Sequence, residues 1–302
     1  MSVLNVTAVI VTYNRLNLLK EALISVLNQT YSVNHVIIVN NFSNDGTEEY
    51  LNEIAKDNST IIPINMSKNI GGAGGFYTGV KEFVKNGDQY VWLMDDDTIP
   101  AVNALEELLT AANTVDYNFG YLCSNVRWID GAPALMNIPN PSSKWTKFVT
   151  DGLVQLKTCS FVSMLVPRSN IIKIGLPIRE FFIWGDDLEY SNRLSNLLPS
   201  YFVARSLITH KMTANISVNI VDDKPERIGR YYYNYRNLFY INRHRGAKDF
   251  IKYIYGAVKN TFLVLKNSKN NRLKRVVTLW RGVSAGIFFK PTPEFLDTKE
   301  NK

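Results

Sequence analysis

Four short apolar runs, each ending in polar residues, constrain this chain more than anything else in it. They are VTAVIVTY (6–13), HVIIVNN (35–41), TIIPIN (60–65) and QYVWLMDDD (89–97). Runs this short, rich in β-branched and aromatic residues, belong to strands covered on both faces. Between them lie NLLKEALISVLNQT (17–30), GTEEYLNEIAKD (46–57) and FYTGVKEFVKNG (76–87), which read as helices. The alternation predicts an α/β fold, with a mostly parallel, Rossmann-like sheet flanked by helices. Pro63 suits TIIPIN to a sheet edge. Farther on the pattern is less regular, with strands expected over 159–167 and 201–210. A helical pattern dominates from residue 228.

Ligands on such sheets sit at the carboxyl ends of the strands. Here those ends carry Thr12–Arg15, Asn40–Asp45 and Asp95–Asp97. Asp95 and Asp97 are two apart at the end of a strand, so both can face one way. Paired hard oxygen ligands suit Mg²⁺ or Mn²⁺, which keep positions for water and substrate phosphate. A solvated turn leading into the next helix, NALEELLTAAN, would use the same residues. His210 closes an apolar run, and a neutral imidazole there would complete a metal site with Asp97. Asp186 and Asp187 follow Gly185 in FFIWGDDLEYSNRLSN (181–196). They read either as favourable charges at a helix start or as a base raised by neighbouring Trp184 and Phe182. NIGGAGGFYTG (69–79) is a glycine-rich loop before a helix. It lacks the Gly-Lys-Ser/Thr of a P-loop and the acidic partner of a dinucleotide fingerprint.

The net charge of +7 is unevenly spread. Lys224–Lys290 holds 16 Lys/Arg against Glu226 and Asp249, a local +14. A basic segment on an acidic body points to an anionic surface or ligand. The two cysteines form no metal-type cluster and suit a reducing compartment. No basic leader with an apolar core opens the chain, and no run of 18 or more uncharged apolar residues occurs. The expectation is a cytoplasmic protein.

Taken in order, VIVTYNR, VIIVNNFSNDGT, NIGGAGGF, LMDDDT and FFIWGDDLEYSNRL resemble the motifs of the inverting family 2 glycosyltransferases, which have the GT-A fold. The resemblance spans about residues 5–215. LMDDDT with a downstream W-x-D-D and a strand-ending His is most similar to galactofuranosyltransferases and bacterial rhamnosyltransferases of cell-surface polysaccharide synthesis. It implies a catalytic domain over 1–220; the charge and apolar pattern beyond it reads as a basic amphipathic helical region over 221–302. The resemblance also implies that Thr12, Tyr13 and Arg15 line the nucleotide and that Asn40 faces the base. Asn69, Gly71 and Gly72 would pass near the donor ribose or sugar. Asp95 and Asp96 would stand at the nucleotide and the metal's shell, with Asp97, Asp95 and His210 holding Mn²⁺ or Mg²⁺. Asp187 would be the base, and Asp186 its neighbour at the acceptor. Asn40 stands where the family usually has Asp, although an amide oxygen can still accept.

The implied donor is UDP-galactofuranose, with dTDP-rhamnose second, and the implied acceptor a polyprenyl-diphosphate-linked saccharide. The tail's apolar residues, including Phe262, Leu265, Val277, Trp280 and Ile287, mix with Lys266, Lys269, Arg272, Lys274, Arg275 and Arg281. Such helices lie in an anionic membrane interface, here at the inner face of the plasma membrane, or pair as a homodimer. In YYYNYRNLFYINRHR (231–245), Tyr231, Tyr235, Leu238 and Asn242 share one side, either against an acceptor or packed on the body. A nucleotidyltransferase would show a basic glycine-rich signature near the N-terminus, which VTYNRLNLL lacks. The acidic body and the lack of an RNA-binding signature argue against a nucleic-acid partner.

Overall fold

The computed structural model describes residues 4–296. The first half of the chain runs β1 (Val6–Thr12), α1 (Leu16–Leu27), β2 (His35–Asn40), α2 (Thr47–Asp57), β3 (Ile61–Asn65), α3 (Gly71–Asn86), β4 (Tyr90–Asp95), β5 (Thr98–Pro100), α4 (Ala104–Thr114) and β6 (Leu122–Trp128). The second half runs β7 (Asn140–Pro141), β8 (Leu153–Thr158), β9 (Met164–Pro167), α5 (Arg168–Ile174), α6 (Asp186–Leu197) and β10 (Ser200–His210), then α7 (Tyr231–Arg245), α8 (Ala247–Asn267) and α9 (Arg272–Phe288). One sheet has the order β3-β2-β1-β4-β9-β6-β10-β8-β7, with β5 paired to β10. Its β3-β2-β1-β4 half is parallel, and the remainder is mixed. β3 takes the edge, where Pro63 removes one donor at little cost.

Alternation along β1 divides the core. Ala8 and Ile10 face a cluster with Leu19, Leu23 and Val26 of α1 and Leu105 and Leu108 of α4. Val9 and Val11 face the opposite cluster, with Phe76, Val80 and Phe83 of α3 and Tyr190 and Leu194 of α6. Each fully buried aliphatic side chain contributes about 1.5–3 kcal/mol, so the parallel strands form a rigid shelf. Register then aligns their ends: Thr12 opposes Asn40, Asn40 opposes Asn65, and Val11 opposes Asp95.

Two expectations change. The glycine-rich stretch is not a loop, because α3 begins at Gly71. Glycine is a poor helix former, but these glycines let α3 lie flush on the sheet. A Cβ on Gly75 would stand 2.4 Å from Val11 Cγ1, and one on Gly79 would stand 2.4 Å from Val9 Cγ1. The expected strand over 159–167 is strand only from Met164. Ser163 takes φ +63°, and its hydroxyl accepts from Trp92 Nε1 at 2.8 Å and bonds Ser124 Oγ at 2.6 Å.

Helices α7–α9 share a third core of Tyr231, Tyr235, Phe239, Ala257, Val264, Leu279 and Val283. Packing therefore takes up the tyrosine side of α7. Arg275, expected on the basic exterior, is 2% exposed. Its guanidinium donates to the carbonyls of Ile220 and Asp223, each at 2.7 Å. The ends of the two expected domains, 1–3 and 297–302, lie outside the described residues.

Candidate active site

The three carboxylates at the end of β4 point to different partners. Asp96 turns inward, accepting from Thr12 Oγ1 at 2.8 Å and Tyr13 N at 3.4 Å. Asp97 accepts from Arg15 Nη1 at 2.6 Å through Oδ2 and contacts His210 Nε2 at 2.9 Å through Oδ1. His210 arrives from 113 residues away because β10 pairs with β5, setting His210 opposite Thr98. Its other ring nitrogen meets Asn137 Oδ1 at 2.8 Å, which fixes the ring plane. Nothing in ALMNIPN marked Asn137 as a partner.

Electrostatics follow from this arrangement. Burial, then the charge of Asp97, pushes Asp95 up to about 7. Burial raises Asp96 to about 6, against the pull of Arg15. Burial would raise Asp97 too, but His210 and Arg15 outweigh it and hold Asp97 below the ordinary carboxylate range. Among the described residues, no side chain donates a hydrogen bond to half-buried Asp95. Ligand atoms of Asp95, Asp97 and His210 all lie within 4.8 Å of one another. Two hard oxygens and an imidazole, one oxygen lacking a donor, fit a divalent cation.

The donor-side residues divide into exposed and engaged. Asn14 and Ser43 staple the loops after β1 and β2: Asn14 N donates to Ser43 Oγ at 2.9 Å, and Asn44 N to Asn14 Oδ1 at 2.8 Å. The pair of loops presents Tyr13 and Phe42, 46% and 56% exposed. Phe42 holds φ +67°, a conformation unusual for a bulky residue. Asn40 is buried, with Nδ2 on Asn65 Oδ1 at 2.9 Å and Oδ1 accepting Ser43 N at 3.0 Å. Both ends of that amide are used inside the protein, so its side chain shapes the loop rather than facing out to a base. Asn69 Oδ1 accepts from Gly71 N at 2.8 Å and Asn41 Nδ2 at 3.1 Å, setting the start of α3. A Cβ on Gly71 would meet Phe182 O at 2.0 Å, whereas Gly72 faces open space.

The acid pair opens α6 after a turn in which Phe182, Trp184 and Gly185 all have positive φ. Asp186 is buried. Burial, then Asp187 and Asp95, pushes its carboxyl well above the usual range, which places it in the field of the β4 cluster. Half-buried Asp187 accepts from Leu188 N at 2.7 Å, and burial raises it to about 6. One aspartate is thus sealed in and its neighbour half exposed. Arg193 anchors the helix by pairing with Glu189 at 2.7 Å and donating to Ile174 O at 2.6 Å.

Residues 7–151 match the glycosyl transferase family 2 model, which includes the β4 cluster and stops before the acid pair and His210. Galactofuranosyltransferase GlfT1 of Mycolicibacterium smegmatis is 26% identical over 200 residues, 63% of this chain and 65% of that protein. GlfT1 of Mycobacterium tuberculosis is 25% identical over 265 residues, 82% of this chain and 85% of that protein. The chain thus spans just under two thirds of the first relative's length. Among solved structures, GalNAc-T7 with UDP, GalNAc and Mn²⁺ superposes with TM-score 0.59 at 18% identity, over 70% of this chain and 44% of that one. A mannosyltransferase of Pyrobaculum calidifontis with GDP-mannose and Mn²⁺ gives 0.57 at 12%, over 94% and 87%. Residues 7–151 thus carry a glycosyl transferase family 2 domain, set on a mixed, mostly parallel sheet of the GT-A fold.

Proposed function

We propose that the chain is a metal-dependent inverting glycosyltransferase that moves a sugar, galactofuranose before rhamnose, from a nucleotide donor to a lipid-linked saccharide. The observation that carries this is the Asp95–Asp97–His210 cluster at the carboxyl edge of the sheet, beside an acid pair with raised pKa. Mn²⁺ or Mg²⁺ bound there would neutralise the diphosphate that departs. Asp97 and His210 would hold it, with Asp95 completing the set. Tyr13 and Phe42 offer exposed ring faces to the base, and Arg15, half exposed and paired with Asp96 and Asp97, would turn toward phosphate once a cation takes over those carboxylates. Gly72 leaves room for the sugar. Asp187 takes the proton of the acceptor hydroxyl as its oxygen bonds the anomeric carbon and the carbon–diphosphate bond breaks. Asp186, buried behind it, backs Asp187 and shapes the acceptor side.

Galactofuranose is favoured by the GlfT1 relatives; nothing but the motif resemblance favours dTDP-rhamnose. Membrane attachment is supported by α8, where Ile251, Tyr255, Phe262 and Leu265 are exposed on one side with Lys252, Lys259 and Lys266 alongside. Each cation near an anionic leaflet contributes about 1 kcal/mol. No described helix is long and apolar enough to cross a membrane, so contact would be at the surface. A homodimer would use the same face.

A mass-spectrometric screen of UDP- and dTDP-sugars with Mn²⁺ and a membrane extract tests the reading. Transfer from one donor with inverted anomeric configuration is expected. A retained configuration, or no transfer from any donor, would overturn it. Flotation with anionic against neutral vesicles separates membrane from dimer, since a dimer alone would not float.

A further inference from the structure

The turn that delivers the acid pair is held from outside the first 220 residues. Asn237, in the middle of α7, is 0% exposed. Its Nδ2 donates to the carbonyls of Phe181 at 2.9 Å, Ile183 at 3.1 Å and Trp184 at 2.7 Å. Its Oδ1 accepts from Arg236 Nε at 3.0 Å, which fixes which way the amide faces. Arg236 Nη2 donates to the carbonyls of Glu180 at 2.7 Å and Phe181 at 3.1 Å. The same helix grips the turn's rings: Tyr233 stacks on Phe182 at 4.8 Å, and Tyr231 meets Trp184 edge-on at 5.2 Å. Opposite, Ala73 N of α3 donates to Phe182 O at 3.2 Å.

We propose that Asn237 is a positioning residue for catalysis, fixing the Phe181–Trp184 turn so that Asp187 faces the acceptor, with Asp186 buried behind it. Left-handed conformations at Phe182 and Trp184 persist only where the surroundings over-determine them, and α7 supplies that constraint. Without the amide, three carbonyls lose a shared donor and the turn is free to relax. Asp187 then moves, and a misplacement of about 1 Å costs on the order of 100-fold in rate. Asn237 contacts none of the strand ends, so the nucleotide side of the donor site keeps its contacts. The C-terminal helices are therefore part of the catalytic unit, even though the motifs end before them.

This inference rests on Asp187 acting as the base. The test is a double-mutant cycle of Asn237→Ala and Asp187→Asn in the full chain, with Asn237→Asp as a second variant of similar shape that cannot donate when ionised. Asn237→Ala should lower kcat by about 10- to 100-fold and leave donor KM within threefold. In the Asp187→Asn background it should remove nothing further. Amide exchange should rise at residues 182–188 and not in β1–β4. An additive cycle, or an unchanged kcat with slow exchange in the turn, would overturn the proposal. If wild type transfers no sugar the proposed reaction falls, and the exchange experiment alone then decides whether Asn237 holds the turn.

Discussion

Replacing Gly71 and Gly72 in turn by alanine separates two neighbouring glycines that look equivalent in sequence. Gly71 has φ +75°, and a Cβ there would meet Phe182 O at 2.0 Å. The left-handed conformation costs alanine about 1–2 kcal/mol. Relieving a clash with backbone adds about 1–3 kcal/mol, and loss of the Ala73–Phe182 hydrogen bond about 1 kcal/mol. The expected destabilisation is about 3–6 kcal/mol. Gly72 meets nothing within 4 Å, so alanine there should stabilise the helix by up to about 1 kcal/mol. Urea unfolding measures both: the Gly71→Ala midpoint should fall and the Gly72→Ala midpoint hold or rise at unchanged slope. Gly72→Ala should at the same time raise the donor KM, because its open side is where the sugar would pass. A Gly71→Ala protein within 1 kcal/mol of wild type would refute the claim that this approach to Phe182 is rigid.

Activity should fall below about pH 6 as Asp187 takes up a proton and stops acting as a base; a pH–rate profile without that acidic limb would contradict the assignment. Asp95, Asp96 and Asp187 have folded pKa values of about 7, 6 and 6, above the usual carboxylate value of about 3.9. Between those limits the folded state binds more protons than the unfolded, so metal-free stability should fall as pH rises from about 4 to 7. Thermal melts at stepped pH check this, and added Mn²⁺ should flatten the slope. Arg15→Ala removes a cation that competes for Asp97 Oδ2. Because the guanidinium is half exposed and screened, Mn²⁺ affinity without nucleotide should rise by only about 3- to 10-fold, as read from free Mn²⁺ by electron paramagnetic resonance. Phe42→Gly should raise the melting temperature by relieving a left-handed phenylalanine while weakening nucleoside diphosphate binding in calorimetry; unchanged binding would remove Phe42 from the donor site.

The parallel half of the sheet was readable because strands covered on both faces leave continuous apolar runs, and those runs stop where the site begins. Asp97 and His210 were readable as candidates by type and by their place at strand ends, although a solvated turn would have used the same carboxylates. Their meeting depends on the three-residue strand β5, too short to leave a pattern. The helical state of the glycine run was hidden because propensity opposed it, and the close fit to Val9 and Val11 exists only in three dimensions. Arg275 looked like its basic neighbours in sequence, yet a loop of carbonyls buries it. Asn137 and Asn237 were invisible for a related reason. Their partners are a ring brought by a distant strand and carbonyls of a distant turn, and an isolated asparagine carries no signal for either.

The most direct test of the account is nucleoside diphosphate affinity with and without Mn²⁺, measured by calorimetry on wild type, Asp97→Asn and His210→Ala. If Asp97 and His210 hold the cation that carries the diphosphate, Mn²⁺ should tighten UDP or dTDP binding at least about tenfold in wild type, a coupling of about 1.4 kcal/mol. The gain should disappear in both variants. Equal affinity with and without the metal in wild type, or an undiminished gain in the variants, would contradict it.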